Sequence, residues 1–270
     1  MTRPATGPAT RAVVTGGGSG IGRALAGRLA AGGARVVVND IDAGAAQAVA
    51  EEIGGFAVPA DIASRDGVTG LIAAARDHLG EIDVYCSNAG IAVAGDANGD
   101  GPAAAEADWQ RSWDVNVMAH VRAAEQLLPG WLARGDGRLV ITASAAGLLT
   151  MLGTAPYSVT KHAAVGYAEW LAATYGHRGL KVHCVCPQGV RTGMLSGSGR
   201  AGDVLLRDAA IEPDDVAEAV WSGMSDGRFL ILPHPEVAGY YALRAGDTDK
   251  WLRGMNRLQQ RIDSDLGGTQ

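Results

Sequence analysis

The stretch Arg11-Ala-Val-Val-Thr15-Gly16-Gly-Gly18-Ser19-Gly20-Ile21-Gly22 decides the fold of this chain. Its first five residues are mostly apolar and β-branched, which predicts a short buried strand over residues 11–15. A glycine-rich turn follows, and a helical pattern begins at residue 23. A strand, a glycine turn and a helix in this order place unpaired N–H groups at a helix N-terminus, which favours binding of a pyrophosphate. The spacing Gly-x-Gly-x-x-Gly does not fit any frame of this turn, so a plain glycine-rich turn is the alternative.

The rest of the chain alternates between apolar strands and helical patterns. Further strands are predicted at residues 34–38, 56–59, 82–86, 138–142, 180–186 and 229–232. Helices are predicted at residues 23–32, 42–53, 64–79, 106–134 and 213–224, and another carries Tyr157 and ends near residue 177. This alternation predicts an α/β fold, a Rossmann-like, doubly wound parallel sheet of about seven strands with helices on both faces. An extra helical tail follows the last strand.

The composition excludes several classes of protein. The 270 residues carry a net charge of −6 and the arginines are scattered, so we expect no nucleic-acid or membrane partner. No apolar run is long enough to span a bilayer, and residues 1–10 lack the apolar segment of a signal peptide. We therefore expect a disordered leader over residues 1–10 and a cytoplasmic protein.

The three cysteines, Cys86, Cys184 and Cys186, fit a reducing compartment. We expect Cys184 and Cys186 to face opposite sides of the sheet, which does not suit a shared metal ion. The histidines, including His162, show no ligand spacing and are interpreted as structural or surface groups. No metal site is predicted.

Tyr157 and Lys161 stand one helical turn apart in Ala-Pro-Tyr-Ser-Val-Thr-Lys. Side chains four apart on a helix share a face, with Cβ atoms about 5–6 Å apart. Lowering the tyrosine pKa by about three units requires roughly 4 kcal/mol. One ammonium at about 5 Å supplies on the order of 3 kcal/mol at an effective dielectric of ~20. The pair therefore suits a tyrosine that acts as a general base, and a core tyrosine beside a solvated lysine is the alternative.

Asp40 follows the second predicted strand, at the distance where a carboxylate accepts hydrogen bonds from adenosine ribose hydroxyls. A carboxylate there would repel a 2′-phosphate. Ser19 stands in the glycine turn where a basic residue would attract that phosphate. NAD is therefore predicted over NADP. Asp40 as a helix-entry residue is the alternative, although Asp42 is able to cap the next helix.

Five motifs stand in order along residues 11–192. They are Thr15-Gly16-x-x-x-Gly20-Ile21-Gly22, Asn88-Ala89-Gly90, Asn116, Ser144 and Tyr157-x-x-x-Lys161. Together they resemble the short-chain dehydrogenase/reductase family of the Tyr-x-x-x-Lys type, and five motifs in register are a specific signal. The resemblance implies that residues 11–270 form a single NAD-binding Rossmann-fold catalytic domain with a C-terminal helical tail. It also implies interconversion of a secondary alcohol and a ketone by hydride transfer.

The resemblance also implies roles for four catalytic residues. Tyr157 acts as general base toward the substrate hydroxyl or as acid toward the carbonyl. Ser144 hydrogen-bonds the reacting oxygen, and Lys161 holds the nicotinamide ribose while it lowers the tyrosine pKa. Asn116 stabilises a helix kink and a water of the proton relay. Ser144 as a turn cap and Asn116 as a partner of backbone groups are the alternatives.

The cofactor contacts implied by the family run along the whole cleft. Asp61 contacts the adenine amino group with Ile62 beside it, and Val190 and Thr192 orient the carboxamide. The full expected set is Gly16, Gly18, Ser19, Gly20, Ile21, Asp40, Asp61, Ile62, Asn88, Ala89, Gly90, Tyr157, Lys161, Pro187, Val190 and Thr192.

The sequence departs from the family pattern at two places. Gln188 stands where the family has the glycine of Pro-Gly, and Gly189 follows it. The last strand continues into His234-Pro235 and a helical tail, where many relatives have paired glycines. Because the second subunit contact of the family uses that terminal region, a homodimer through the long helices is favoured over a homotetramer.

Apolar residues beside the catalytic helix suggest an apolar substrate. The candidates are Leu148, Leu149, Met151, Leu152, Met194 and Leu195. In the tail, Trp251, Leu252, Met255, Leu258 and Ile262 form a helical stripe. Core or subunit packing is the main interpretation of this stripe, and a wall of the substrate pocket is the alternative.

Two other functions remain open. One is an NADPH-dependent carbonyl reductase that uses the same cleft. The other is a dinucleotide-binding sensor without turnover, which a broken catalytic tetrad would indicate. Asn116, Ser144, Tyr157 and Lys161 are all present, which favours an enzyme.

Overall fold

The computed structural model describes residues 10–93, 104–196, 206 and 208–267. Within these residues, seven strands form one parallel sheet in the order β3-β2-β1-β4-β5-β6-β7. The predicted Rossmann-like sheet is thereby confirmed. The strands are β1 (Arg11–Thr15), β2 (Arg35–Asn39), β3 (Phe56–Ala57), β4 (Val84–Ser87), β5 (Gly137–Thr142), β6 (Leu180–Val185) and β7 (Leu230–Ile231).

Helices connect the strands and continue beyond the sheet. They are α1 (Gly20–Ala31), α2 (Ala43–Ile53), α3 (Arg65–Leu79), α4 (Glu106–Trp113), α5 (Ala119–Arg134), α6 (Ala146–Leu149), α7 (Ala155–Tyr175), α8 (Gly193–Ser196), α9 (Pro213–Asp226), α10 (Glu236–Gly246) and α11 (Thr248–Gly267). A π-helical turn covers Asp114–Met118, and a 3₁₀ turn covers Gly176–Arg178.

Each face of the sheet has its own apolar core, because successive strand residues point to opposite faces. Val13 and Leu139 belong to the core that α3, α5 and α7 complete. Val14 and Val140 belong to the core that α1, α2 and α9 complete. All four valine and leucine side chains are 0% exposed, which explains why these strands read as nearly continuous apolar runs.

Local signals set the ends of several helices. The Asp42 carboxylate accepts a hydrogen bond from the Ala45 N–H at 3.0 Å and caps α2. The Ser64 hydroxyl accepts one from the Gly67 N–H at 2.9 Å and caps α3. Gly54 ends α2 with φ +64°, a left-handed conformation that favours glycine. These helix starts match the predicted ones within a residue.

The predicted helix over residues 106–134 is present with these bounds, and a π-helical turn lies within it. Asp114–Met118 forms this turn between α4 and α5. The turn contains Asn116, whose side chain is 0% exposed. A π turn inserts an extra residue into the helix and is frequent at functional sites.

Two further sequence predictions concern the chain outside the sheet. Residues 1–9 of the predicted leader lie outside the described residues. Thr10, which we assigned to the leader, is buried, and its carbonyl accepts a hydrogen bond from the Arg35 N–H at 2.9 Å. Among the described helices, none is both long and apolar enough to cross a membrane.

The strand order places a crevice at one edge of the sheet. The chain runs outward from β1 to β2 and β3, and then returns to β4 on the other side of β1. In parallel sheets a ligand binds outside the carboxyl ends of the strands at such a reversal. The residues after β1, β4, β5 and β6 therefore meet at one place.

Candidate active site

A cavity of about 760 Å³ lies at the carboxyl ends of the strands. Its lining runs from the glycine turn after β1, past the ends of β2 and β4, to Ser144, Tyr157 and Lys161. Of the predicted cofactor residues, all except Gly18 line it. The structure therefore brings together nearly the whole set that the motifs singled out.

The glycine turn is packed too closely for side chains. Gly16 has φ +62°, and a Cβ there would lie 2.9 Å from the Ala89 Cα. A Cβ on Gly22 would lie 1.9 Å from the Gly16 carbonyl oxygen. Ser19 is the N-cap residue of α1, but its side chain makes no capping hydrogen bond. The first backbone N–H groups of α1 are therefore not bonded by the Ser19 hydroxyl. An anion at this turn would find these donors.

Asp40 lies at the end of β2, beside the glycine turn. Its Oδ2 accepts a hydrogen bond from the Gly18 N–H at 3.0 Å, and its Oδ1 accepts one from the Asp42 N–H at 3.1 Å. Gly18 therefore supports the carboxylate from behind and does not line the cavity. The two backbone bonds fix a carboxylate in the cavity wall, where ribose hydroxyls would be able to donate to it.

Asp61 and Ile62 follow β3 and line the same end of the cavity. The Asp61 Oδ1 accepts a hydrogen bond from the Ala63 N–H at 2.9 Å, and Ile62 is 7% exposed. A carboxylate beside an apolar side chain suits the amino edge and the face of an adenine.

Thr15 joins the end of β1 to the end of β4, and the sequence analysis gave it no role. Its Oγ1 accepts hydrogen bonds from the Asn88 N–H at 3.0 Å and from the Ala89 N–H at 3.1 Å. The Asn88 Nδ2 donates to the Thr15 carbonyl oxygen at 3.0 Å. These contacts hold the Asn88-Ala89-Gly90 segment against the glycine turn.

Lys161 is 3% exposed, and its Nζ donates a hydrogen bond to the Thr142 carbonyl oxygen at 2.8 Å. Burial lowers its pKa from 10.5 to about 8. A Cβ on Gly90 would lie 3.2 Å from this Nζ, so the glycine leaves the ammonium accessible from the cavity. The Lys161 Nζ lies 5.6 Å from the centre of the Tyr157 ring.

Tyr157 is half-buried on the first turns of α7. Burial raises the pKa of its phenol, and a hydrogen bond with Ser144 opposes this effect. Ser144 follows β5 and is 7% exposed; its Oγ accepts a hydrogen bond from the Ala146 N–H at 3.1 Å. The structure thus joins the predicted serine and tyrosine directly, and burial outweighs the hydrogen bond in setting the phenol pKa.

Asn116 connects the segment after β4 to α7, the helix that carries Tyr157 and Lys161. Its Oδ1 accepts from the Ile91 N–H and its Nδ2 donates to the Ile91 carbonyl oxygen, both at 2.9 Å. Its Nδ2 also donates to Thr160 Oγ1 at 3.1 Å. Asn116 does not line the cavity. Its position in the π turn agrees with the kink that the resemblance implies. Its hydrogen bonds with the Ile91 backbone also agree with the alternative, in which Asn116 is a partner of backbone groups.

The segment after β6 crosses the cavity opposite Ser144. The Pro187 carbonyl oxygen accepts hydrogen bonds from the Ala145 N–H at 2.8 Å and from the Ser144 Oγ at 3.4 Å. Val190 forms an isolated parallel bridge with Ile211. A Cβ on Gly20 would lie 2.9 Å from the Thr192 Cγ2, so this segment extends from Ser144 to the glycine turn.

The apolar side of the cavity contains most of the predicted residues. Leu149, Met151, Leu152, Met194 and Leu195 line it. Leu148 does not, and its prediction as a pocket residue is wrong. Its side chain is 2% exposed in the core, and its carbonyl oxygen accepts a hydrogen bond from Arg244.

The helical tail forms part of the cavity wall. Trp251, Met255 and Leu258 of α11 line the cavity, as does Tyr240 of α10. Ile262 is buried at 5% exposure, whereas Leu252 is 57% exposed. The stripe thus packs on the body of the protein and also faces the cavity, so both interpretations of it hold for different residues.

The histidines and cysteines do not form a metal site among the described residues. His162 has Nδ1 2.8 Å from the Ser158 carbonyl oxygen and Nε2 3.0 Å from an Arg244 Nη1, which is a structural role as expected. The expectation that Cys184 and Cys186 face opposite sides of the sheet is wrong. Their Sγ atoms are 3.8 Å apart, because residues two apart in a strand share a face.

Several lining residues were not foreseen. Some carried no sequence signal, because they lie far from any motif and only the packing of the tail brings them to the cavity. Others adjoin predicted cofactor residues in the sequence, as Asn39 and Ile41 adjoin Asp40. The unforeseen lining residues include Asn39, Ile41, Ala60, Ala63, Arg111, Leu206 and Tyr240.

The cavity fits a nicotinamide dinucleotide on the chemistry of its wall. The glycine turn leaves room for a pyrophosphate, since any side chain on Gly16 or Gly22 would collide with backbone. Asp40 offers ribose acceptors at one end. At the other end, the Lys161 ammonium is accessible close to Tyr157.

The sequence and the fold are similar to those of known oxidoreductases. A model of the family described as short chain dehydrogenase matches residues 10–201. The 1-deoxy-11-beta-hydroxypentalenate dehydrogenase of Streptomyces exfoliatus is 35% identical over 243 residues, covering 84% of this chain and 83% of that protein. The 2-(S)-hydroxypropyl-CoM dehydrogenase 3 of Xanthobacter autotrophicus is 37% identical over 229 residues, covering 79% of this chain and 88% of that protein.

A solved structure resembles the fold over nearly its whole length. It is described as a short chain dehydrogenase/reductase from Burkholderia phymatum in complex with NAD. The superposition has a TM-score of 0.80 at 27% identity and covers 89% of this chain and 94% of that one.

The lowered pKa of Lys161 predicts a pH-dependent stability difference. Between about pH 8 and 10.5 the unfolded chain holds the Lys161 proton and the folded chain has released it, so wild-type stability rises with pH in this window. Lys161→Met removes this gain. We expect its free energy of unfolding, relative to wild type, to fall by on the order of 3 kcal/mol between about pH 7.5 and about pH 10 in urea titrations.

The control is Lys181→Met, which removes an exposed lysine that pairs with Asp136. A Lys161→Met difference that stays constant across this pH range would contradict the prediction.

Proposed function

The chain belongs to the short-chain dehydrogenase/reductase family and is an oxidoreductase, and from this premise we propose that it interconverts an apolar secondary alcohol and its ketone with NAD. One observation carries the proposal. A single cavity joins a carboxylate and a glycine turn at one end to Ser144, Tyr157 and Lys161 at the other. A dinucleotide would span the cavity from Asp40 to Lys161, with a small alcohol beside its nicotinamide at Ser144 and Tyr157.

Each catalytic residue has a distinct task in this proposal. Tyr157 takes the proton from the substrate hydroxyl in oxidation and returns it in reduction. Ser144 donates a hydrogen bond to the reacting oxygen and keeps the Tyr157 phenol in place. The bound nicotinamide supplies the hydride acceptor or donor, so the protein contributes position and charge.

Lys161 and Asn116 support that chemistry from inside the protein. The Lys161 ammonium holds the nicotinamide ribose and favours the tyrosinate, against the burial that raises the phenol pKa. Asn116 holds the Ile91 backbone and Thr160 together and stabilises the kinked helix. We assign the relay water to this kink as well.

The choice of NAD rests on Asp40. Its carboxylate lies in the cavity wall, fixed by the Gly18 and Asp42 N–H groups. A 2′-phosphate beside it would place like charges together, which disfavours NADP and a carbonyl reductase that uses NADPH.

We infer the substrate class from the cavity lining, because the substrates named for the relatives differ in polarity. One acts on a hydroxypentalenate and another on a hydroxypropyl-CoM, as their names state. Here the reactive end of the cavity has Leu149, Met151 and Leu152 on one side and Trp251 and Met255 on another. Such walls suit a carbon skeleton that carries the hydroxyl as its main polar group.

The proposal extends to organisation and assembly. We propose that residues 11–270 act as one catalytic domain in the cytoplasm, where the free thiols of the described chain stay reduced. We also propose a homodimer, favoured over a tetramer, through the faces of α4 and α7. There Trp113, Val159 and Trp170 are 40%, 46% and 52% exposed.

Removal of the Tyr157 hydroxyl tests the chemistry. We expect Tyr157→Phe to lower kcat for a cyclic secondary alcohol such as cyclohexanol by about 100- to 10,000-fold, because the proton acceptor is lost. NADH binding, followed by fluorescence, should change little. Tyr175→Phe, at the far end of the same helix, is the control and should keep wild-type turnover. Substantial turnover by Tyr157→Phe would exclude the assigned role.

Removal of the Asp40 carboxylate tests the cofactor. We expect Asp40→Ala to weaken NAD binding by about 10- to 100-fold, since a charged acceptor is lost, and to improve NADP binding. Dissociation constants for both cofactors are measured by calorimetry. Asp42→Ala should cost about 1 kcal/mol of stability through the lost α2 cap and leave the cofactor ratio unchanged. A wild type that prefers NADP would show the assignment to be wrong.

Truncation of Trp251 tests the substrate class. We expect Trp251→Ala to lower kcat/KM for a bulky apolar secondary alcohol by about tenfold, because apolar contact area is lost. The value for 2-propanol should change far less. The matched control is the exposed neighbour, Leu252→Ala. Efficient turnover of small charged alcohols, with rejection of apolar ones, would contradict the proposed class.

A further inference from the structure

His234 lies just beyond β7, is 2% exposed, and is not part of the proposed catalytic set. Its ring bridges two consecutive backbone groups of the segment after β6. The Gln188 N–H donates to His234 Nδ1 at 3.1 Å, and His234 Nε2 lies 3.0 Å from the Gly189 carbonyl oxygen. Because Nδ1 accepts and the carbonyl needs a donor, these two contacts place a ring N–H at Nε2.

The ring continues the hydrogen-bond ladder between β6 and β7. The Cys184 N–H donates to the Phe229 carbonyl oxygen at 2.7 Å, and the Cys186 N–H donates to the Ile231 carbonyl oxygen at 2.9 Å. The next donor two residues on is the Gln188 N–H, and it meets the His234 ring. A side chain has therefore taken the place of strand backbone at this step.

Two prolines interrupt the donor side of a backbone ladder beyond β7. Pro233 and Pro235 flank His234, and proline has no N–H to donate to a neighbouring strand. A parallel ladder past β7 would need such donors. His234 supplies one donor and one acceptor from a single ring between the two prolines.

The segment that His234 holds forms a cavity wall. Pro187, Gln188, Gly189, Val190 and Thr192 all line the cavity. At its start, the Pro187 carbonyl oxygen is bonded by Ala145 and Ser144. At its end, Thr192 contacts the glycine turn, and Gly189 and Arg191 exchange hydrogen bonds with Ile211. His234 holds Gln188, which lies between these attachments, and adds a second contact to the Gly189 carbonyl oxygen.

We propose that His234 is a positioning residue that sets the nicotinamide side of the cofactor cavity through the backbone of Gln188 and Gly189. The two departures from the family pattern, Gln188 and the Pro-His-Pro end, are thus in contact through the Gln188 main-chain N–H. This inference rests on the proposed NAD site, and it concerns the nicotinamide half of that site alone. The adenosine half, at Asp40 and the glycine turn, lies at the other end of the cavity.

The test compares two probes of the same cavity. NADH uses both halves, whereas ADP-ribose lacks the nicotinamide. We expect His234→Leu to raise the NADH dissociation constant by about tenfold and the ADP-ribose constant by less than about twofold, both measured by calorimetry. His234→Gln, whose amide supplies an acceptor and a donor on adjacent atoms, should restore NADH binding to within about threefold of wild type.

A third variant covers a failure of His234→Leu to fold, which circular dichroism would reveal. In His234→Asn the side-chain amide oxygen is still able to accept from the Gln188 N–H. The shorter side chain does not reach the Gly189 carbonyl oxygen, which His234 Nε2 contacts in the wild type. We expect NADH binding about threefold weaker and ADP-ribose binding unchanged.

The outcomes separate this inference from the proposed function. If the wild type binds NADH and the folded His234→Leu or His234→Asn variant binds it equally well, the inference is overturned. An equal loss of NADH and ADP-ribose binding would also overturn it, since that pattern indicates a general structural role. A wild type that binds neither probe would overturn the proposed function itself, and this inference with it.

Discussion

The carboxyl ends of β1 and β4 separate where the chain reverses direction across the sheet, and three hydrogen bonds between Thr15 and residues 88–89 hold them together. The glycine turn follows β1, and the segment that ends at Ile91 follows β4. Asn116 then binds the Ile91 backbone and Thr160, which lies on the catalytic helix. A continuous path of hydrogen bonds thus fixes the glycine turn relative to the catalytic helix.

Burial acts on the two ionisable groups of the site in opposite directions. It raises the pKa of Tyr157 and lowers the pKa of Lys161, so in both it favours the neutral form. The neighbouring His120 is fully buried, and its pKa is lowered to about 3 by burial and then by the Lys161 charge. Among these groups, the lysine therefore carries the positive charge near the phenol at neutral pH. In the protein alone, burial outweighs the Ser144 hydrogen bond, so the pKa of the Tyr157 phenol is raised.

The sequence predicted the parts of this structure that depend on local chemistry. The sheet and most helix starts follow from apolar patterns, caps and glycines at fixed positions, and the lining by the motif residues was implied by the family resemblance. The apolar pattern did not show the π turn at Asn116, because one extra residue in a helix leaves that pattern nearly unchanged; only the family resemblance implied a kink there. The place of Leu148 and the bridge made by His234 depend on how the tail packs, and no local pattern encodes that.

The cavity is built from two parts of the chain that lie far apart in sequence. Residues 16–90 supply the glycine turn and the carboxylate, whereas Tyr240 and the face of α11 at Trp251 supply much of the apolar wall. Up to residue 267 the tail contributes no strand to the sheet, and it contacts α7 through Arg244 and His162. Substitutions in α10 and α11 can therefore accumulate under selection for new substrates while the dinucleotide half stays constant. Residues that differ between relatives with different substrates are therefore expected to concentrate in α10 and α11.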